Sequence, residues 1–195
     1  MLARKLLGLS ALMMGVLVSF GQARPAFAQA YAVDSVHSSV IFRIKHMGVS
    51  YSYGRFNDIS GQIGIEDADP SKGIVDVTIK TASLDTGNAA RDGHLKNADF
   101  FNAAQYKTIN FKSTSIAKEA TPGTFKVTGN LTLHGVTQPI TVTLTRTGTG
   151  KDPKGRALVG YEGEFSIKRS AFKMDKMLTG ASDDVRLIVS IEAAR

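Results

Sequence analysis

The fold is decided by the stretch FKVTGNLTLH at positions 125–134. Its odd-numbered residues are apolar or glycine, and its even-numbered residues are polar or charged. Side chains of a β-strand point alternately to opposite faces, so this pattern predicts a strand with one buried and one solvated face. The run is longer than the usual strand of about five or six residues, and a barrel built from such strands has a deep interior.

The same alternation recurs along the chain after residue 30 and predicts eight strands. Short connections containing Pro and Gly separate several of them, which favours antiparallel neighbours. Phe56 has the opposite parity from Ile59 and Ile63, which predicts a bulge near Asn57–Asp58. The alternating runs lie at 40–45, 59–66, 75–80, 109–113, 125–134, 140–145, 159–167 and 185–191.

Eight antiparallel strands remove their edges by closing into a barrel, and a barrel of this size can hold one small ligand. We therefore predict an all-β, eight-stranded antiparallel barrel. A β-sandwich with a solid core is the alternative. Two segments interrupt the strand pattern, at 84–104 and 168–182. The first predicts a loop and a short helix that carries Phe100 and Phe101 as a lid over one barrel end.

Residues 1–28 have the pattern of a secretory signal peptide. Arg4 and Lys5 precede an uncharged apolar run from Leu6 to Phe20, and Ala26-Phe27-Ala28 is a cleavage pattern of small residues. Cleavage after Ala30 fits as well, and an uncleaved anchor is the alternative. The pattern predicts export to the periplasm, with the mature domain at residues 29–195.

Composition excludes several classes of function. Removing residues 1–28 takes away Arg4, Lys5 and Arg24, so the net charge falls from +7 to +4. The remaining charges are interleaved, which does not favour nucleic acid as a partner. The chain has no cysteine, which excludes thiol catalysis and thiolate metal sites. We predict no cofactor, no metal and no stable membrane insertion after signal cleavage, while homodimer formation stays open.

A set of short motifs extends over the whole predicted mature chain, and their order and spacing together are specific. The motifs are DSVHSSVIF (34–42), KHM (45–47), GRF (54–56), ASLDTG (82–87), RDGHLK (91–96), DFF (99–101), GNLTLHGVT (129–137), RSAF (169–172) and DDVRL (183–187). This set resembles the YceI-like family of bacterial periplasmic lipid-binding proteins. The resemblance implies an eight-stranded antiparallel, lipocalin-like barrel whose interior holds a polyisoprenoid or another long amphiphile, such as an isoprenoid quinone, a polyprenyl phosphate or a fatty amide.

The chain departs from the family pattern at two connections. Lys107 stands where the family often has proline, and Lys173 stands where glycine is usual. Both lie outside the predicted strands, so these departures concern the shape of the barrel mouth rather than the fold.

Inward parity and the two irregular segments together give the predicted ligand-contacting residues. The polar members, His46, Arg91, His94 and Arg169, are expected at one end of the barrel, because a buried phosphate needs hydrogen-bond donors. The full predicted set is Phe42, Ile44, His46, Phe56, Val77, Arg91, His94, Phe100, Phe101, Phe111, Val127, Leu131, Val142, Tyr161, Phe165 and Arg169.

Two other functions compete with ligand carriage. Arg91, Asp92 and His94 could serve a periplasmic hydrolase or isomerase, although no Gly-x-Ser-x-Gly nucleophile motif occurs. We instead expect Asp92 to cap the short helix and Arg91 and His94 to tie it to the barrel. An interaction protein with a solid core is the other alternative. The prediction is a binding protein without catalytic residues.

Overall fold

A computed structural model describes residues 29–195 of the chain. The predicted signal peptide lies outside these residues. The strands are β1 (Tyr31–Val33), β2 (Ser39–His46), β3 (Ser50–Phe56), β4 (Ile59–Gly64), β5 (Ile74–Lys80), β6 (Leu84–Asp85), β7 (Thr108–Lys118), β8 (Thr124–Leu133), β9 (Val136–Lys151), β10 (Ala157–Lys168) and β11 (Ala181–Ala194). The helix α1 spans Ala89–Lys96, and short 3-10 helices span Pro70–Lys72, Thr81–Ser83 and Arg169–Phe172.

The sheet closes on itself as an antiparallel barrel. Strand pairing runs β1-β4-β5-β7-β8-β9-β10-β11, and β11 pairs again with β1. Three of the eight strands of the barrel are interrupted, so each of them consists of two shorter strands in line. The three combinations are β1 with β2, β3 with β4, and β5 with β6. The eight-stranded prediction is confirmed, and the closed ring excludes the sandwich.

The break between β3 and β4 falls at the predicted position. Phe56 and Ile59 are both buried although they have opposite parity, and the two residues between them belong to neither strand. The extra residues keep both apolar side chains in the core. Beyond Arg55, towards the β2–β3 turn, β3 pairs with β2 alone among the described residues. The second edge of residues 50–54 therefore has no strand beside it.

The inward face of β8 includes Gly129, where a side chain would not fit. A Cβ atom there would lie 2.5 Å from the Lys112 carbonyl oxygen and 2.6 Å from Cζ of Phe111. The missing side chain lets the Phe111 ring lie against the β8 backbone. Phe125 and Val127 on the same face are completely enclosed in the core.

Arg146 closes one end of the barrel. Its Nη1 donates to Oδ2 of Asp67 at 2.6 Å, and its Nη2 donates to the Ile65 carbonyl at 2.7 Å. The guanidinium also lies over the rings of Phe125 and Tyr161, at 5.3 and 5.7 Å from their centroids. An ion pair, a hydrogen bond to a carbonyl and two aromatic faces thus stabilise the positive charge of Arg146.

The segment between β6 and β7 lies over the other end and contains α1. Leu95 and Phe101 of this segment pack against the barrel core. The predicted loop and short helix are therefore present over the barrel end opposite Arg146, but Phe100 and Phe101 follow α1 rather than lying on it.

Among residues 29–195, no helix is long and apolar enough to cross a membrane.

Candidate functional site

The barrel encloses an apolar cavity of about 340 Å³ that reaches the surface at the α1 end. Most of its lining consists of inward-facing aliphatic and aromatic side chains. The ionisable side chains in the lining are His46, Tyr53, Arg91, His94 and Arg169, with neither aspartate nor glutamate among the lining residues. The cavity thus combines an apolar interior with basic or neutral polar groups.

Fourteen of the sixteen predicted contact residues line this cavity. They are Phe42, Ile44, His46, Phe56, Val77, Arg91, His94, Phe100, Phe101, Phe111, Leu131, Val142, Phe165 and Arg169. Contact with a ligand remains a prediction for each of them.

Val127 and Tyr161 do not line the cavity, which corrects the prediction for these two. Both face inward, but they are enclosed in the packed core. The Tyr161 ring lies 6.5 Å from that of Phe125 and below the Arg146 guanidinium. These side chains form the floor below the cavity rather than its wall.

Three aromatic rings join the lid to the cavity wall. Phe101 packs against Phe56 with ring centroids 5.6 Å apart and against Phe42 at 6.3 Å, and Phe42 lies 5.9 Å from Phe56. Tilted and edge-to-face pairs at these distances are favourable. The lid is thus anchored by a side chain that inserts into the barrel.

Five lining residues are exposed to solvent and define the entrance. They are His46 at the end of β2, Tyr53 on β3, Arg91 and His94 on α1, and Met177 in the β10–β11 connection. Three of the predicted polar residues, His46, Arg91 and His94, therefore share one end of the barrel. Because these three are both lining and exposed, they can meet the polar end of a molecule whose chain lies inside.

The Arg91 guanidinium is only partly used by the protein. Its Nε donates to Oγ1 of Thr86 at 2.8 Å, and its Nη2 donates to the Thr86 carbonyl at 2.8 Å. The Nη1 group makes no hydrogen bond within residues 29–195. These two bonds orient the guanidinium and leave donors for a bound anion.

Asp92 is not the helix cap, which corrects that prediction. Asn88 caps α1, and its side-chain oxygen accepts a hydrogen bond from the Arg91 backbone N–H at 3.0 Å. The Asp92 carboxylate instead accepts from the backbone N–H and the hydroxyl of Thr86. His94 stacks edge-to-face on Phe100 at 4.9 Å. Asp92 and His94 thus have separate structural contacts and no hydrogen bond to each other in the described chain.

Arg169 lines the cavity, but its guanidinium is committed to the backbone. It donates to the carbonyls of Met174, Lys176, Ala181 and Ser182 at 2.6 to 3.0 Å. Burial lowers the pKa of Arg169 below the ordinary value of an arginine. Its role is therefore to fold the 169–182 connection, which revises the predicted contact with a headgroup.

His134 joins the β8–β9 turn to the same connection. Its Nδ1 lies 3.1 Å from the Phe172 carbonyl, and its ring packs on Tyr106 with centroids 4.6 Å apart. This contact joins residues that are 38 positions apart in the sequence.

Several lining residues were missed from the sequence. Parity along β11 already marked Val185, Leu187 and Val189 as inward, so this signal was available. Met174 and Met177 carry no such signal, because they lie in an irregular connection whose path depends on the Arg169 contacts.

One cluster outside the cavity has the residue types of a metal site. The Nδ1 atom of His37 lies 3.1 Å from Oδ2 of Asp34 and 3.7 Å from Oε1 of Glu192. The hydrogen bond that the His37 imidazole donates to Asp34 raises the pKa of His37, and Glu192 adds to that effect. The geometry fits a protonated imidazole held between two carboxylates on the outer surface.

Comparison with known proteins identifies one family along the described residues. Residues 31–193 match the family model described as a YceI-like domain. A UPF0312 protein of Ectopseudomonas mendocina is 42% identical over 189 residues, which cover 96% of this chain and 97% of the relative. A UPF0312 protein of Serratia proteamaculans is 42% identical and covers 100% of this chain and 99% of its own length.

Solved structures have the same architecture. BcnA of Burkholderia cenocepacia is 28% identical with a TM-score of 0.75, covering 83% of this chain and 99% of that chain. The Campylobacter jejuni YCEI protein is 30% identical with a TM-score of 0.68, covering 94% and 99%. A polyisoprenoid binding domain from Saccharophagus degradans, implicated in plant cell wall breakdown, has a TM-score of 0.61 at 20% identity, covering 85% and 98%. The last likeness is one of fold.

Proposed function

Because the chain belongs to the YceI-like family, we propose that it is a periplasmic carrier for a long apolar amphiphile such as a polyisoprenoid. The observation that carries this proposal is the apolar cavity of about 340 Å³, open at one end, inside a closed barrel. Cavities of this size and character are typical of small-molecule sites. The Saccharophagus degradans domain, which is described as polyisoprenoid-binding, has the same fold.

The interior can supply enough free energy for binding. Burying about ten methylene groups at about 0.8 kcal/mol each gives about 8 kcal/mol before the cost of ordering the ligand. The entrance supplies hydrogen-bond donors for the polar end of a ligand, since Arg91 keeps free N–H groups and His46 and His94 line the same cavity. We propose that the apolar chain lies in the barrel with the headgroup at this entrance.

The proposal includes a binding role without catalysis. Asp92 accepts hydrogen bonds from Thr86, Arg91 donates from two of its three guanidinium nitrogens to Thr86, and His94 stacks on Phe100. A hydrolase or isomerase would need a base oriented against a reacting group. The contacts of these three side chains support structural and headgroup-binding roles instead.

The test is to fill the cavity without changing the outer surface. Ile140 lines the cavity on β9, and Thr143 is exposed on the outer face of the same strand. We expect wild-type protein and Thr143→Trp to retain a co-purifying lipid, detected by native mass spectrometry and organic extraction. We expect Ile140→Trp to retain little, because the indole occupies the space of the chain. Wild-type protein that carries no lipid and takes up neither an isoprenoid nor a fatty amphiphile would contradict the proposal.

A further inference from the structure

Apolar side chains project into solvent beside the cavity entrance. Met47 and Val49, at the tip of the β2–β3 hairpin, are 62% and 85% exposed. Met177 and Leu178, in the β10–β11 connection, are 57% and 44% exposed. We call these four residues the apolar rim. Exposed apolar groups that gather at one place on a surface are typical of interaction sites.

The two parts of the apolar rim are joined to each other. The Met47 N–H donates to the Gly180 carbonyl at 2.8 Å, and Gly180 and Ala181 donate to the Met177 carbonyl at 3.0 and 2.9 Å. The Met47 sulfur also lies 3.7 Å from the position that a Cβ atom of Gly180 would take. These bonds hold the hairpin tip and the connection together, so the rim is one built surface rather than two loose loops.

Positive charge accompanies the apolar rim. The strand connections at the entrance end, residues 47–49, 86–107, 134–135 and 169–180, contain six Lys and Arg against three Asp, a net charge of +3. At the opposite end, residues 65–73, 119–123, 152–156 and 195 contain four Lys and Arg against five Asp and Glu, a net charge of −1. Lys45 and Lys173 near the rim form no ion pair with another described residue.

Tyrosines add a further feature of a lipid-facing surface. Tyr51 and Tyr53 are half exposed on the outer part of β3, next to the hairpin tip. Amphipathic aromatic rings and long basic side chains favour the boundary between water and a bilayer. An apolar tip surrounded by basic side chains is the composition of a peripheral membrane-binding surface.

We propose that the apolar rim docks the entrance end onto a bilayer that contains anionic phospholipid. Val49 and Leu178 insert among the headgroups and acyl chains, while the neighbouring lysines contact lipid phosphates. Met177 belongs both to the rim and to the cavity lining, so docking brings the cavity entrance against the lipid. That consequence rests on the proposed carrier function, whereas the docking itself does not.

Single-tryptophan variants can report docking directly, because the chain contains no tryptophan. Val49→Trp places the reporter on the rim. Val36→Trp is the matched control, since Val36 is 81% exposed but lies in the β1–β2 connection, away from the entrance. We expect a blue shift of Val49→Trp emission with vesicles of phosphatidylethanolamine and phosphatidylglycerol, a smaller shift with phosphatidylcholine vesicles, and none for Val36→Trp.

Co-sedimentation with the same vesicles gives the second measurement. We expect Val49→Asp combined with Leu178→Asp to lower the partition coefficient at least tenfold, and Val36→Asp to leave it near the wild-type value. Circular dichroism checks that each variant is folded. Equal sedimentation of the wild type and the double variant would overturn the proposal. It would also be overturned if the double variant changed only a dimer into a monomer in size-exclusion chromatography, which would assign the rim to a second copy of the chain.

Lipid content separates this proposal from the carrier proposal. The double variant should still retain a lipid loaded from detergent solution, because Val49 and Leu178 do not line the cavity. A protein that docks on vesicles but never holds lipid would leave docking standing and contradict the carrier function.

Discussion

At the scale of single residues, Arg91 is the side chain with the clearest expected effect on ligand choice. Its two bonds to Thr86 orient the guanidinium, and its Nη1 group remains available at the entrance. A hydrogen bond from a charged donor contributes about 1.5–3 kcal/mol, which is roughly ten- to a hundredfold in Kd. We expect Arg91→Ala to weaken binding of a polyprenyl phosphate by this factor while binding of the corresponding alcohol changes little.

Lys96→Ala is the matched control for this prediction, since Lys96 lies on α1 but does not line the cavity. Titration of both lipids into both variants gives the four dissociation constants. Equal weakening for the phosphate and the alcohol would assign Arg91 a purely structural role.

Lys173 occupies a backbone conformation that suits glycine. Its φ is 59° and its ψ is 25°, in the left-handed region, directly after the 3-10 helix at Arg169–Phe172. A side chain costs about 1–2 kcal/mol in this conformation, part of which is offset by the greater chain entropy of glycine when unfolded. We expect Lys173→Gly to raise the free energy of unfolding by about 1 kcal/mol in urea denaturation.

Lys176→Gly tests whether the gain depends on conformation. Lys176 lies in the same connection, but its φ is not positive. The Lys176 variant should be no more stable than the wild type. The left-handed backbone at position 173 gives a physical reason for the glycine that the family resemblance led us to expect there.

At the scale of elements, α1 is capped well but contains a helix-weakening residue. Gly93 lies inside the helix, and nothing lies within 4 Å of the position that a Cβ would take. We expect Gly93→Ala to stabilise the lid by about 0.5–1 kcal/mol and to slow amide hydrogen exchange in α1 by up to about fivefold.

Gly87 offers the opposite control. It also has empty space around it, but its φ is +73°, so an alanine there is strained. Gly87→Ala should speed exchange in the lid. If both alanine variants changed exchange in the same direction, backbone conformation would not be the deciding factor.

Parity predicted which way the side chains point but not how high they lie along the barrel. The eight strands, the break at Asn57–Asp58 and the inward face all follow from alternation of residue types. Val127 and Tyr161 have the correct parity, yet they lie below the cavity because strand register and the distant contacts of Arg146 set the floor. Those contacts join residues 79 and 81 positions apart, and local sequence carries no signal for them.

The sequence alone also did not identify which residue caps α1. Asn88 and Asp92 both suit a helix cap, and only the path of the chain after β6 decides between them. That path brings Thr86 beside Asp92, which leaves Asn88 as the cap.

At the scale of the whole molecule, the enclosed cavity predicts that bound lipid stabilises the fold. A ligand that binds only the folded state adds about 2.7 kcal/mol at a free concentration one hundred times its Kd. For a domain of this size that corresponds to roughly 5–10 °C in Tm. We expect delipidated protein to melt lower by this amount and to recover when polyisoprenoid is added.

Ile140→Trp provides the control for this measurement. Its cavity is filled, so its Tm should not respond to added lipid. A rise in the Tm of this variant equal to that of the delipidated wild type would indicate that lipid stabilises the protein from outside the barrel.

The free second edge of β3 bears on how fast the proposed carrier would exchange its ligand. Residues 50–54 pair with β2 alone among the described strands, so widening the entrance on this side breaks no strand-to-strand hydrogen bond. The activation barrier on this side is then set by rotation and separation of rings such as Phe101 and Phe56. Side-chain and loop motions of this kind are many times faster than unzipping a sheet. The speed of loading is then independent of stability, and we expect a barrel whose β10 and β11 strands pair over eleven residues to exchange its contents quickly.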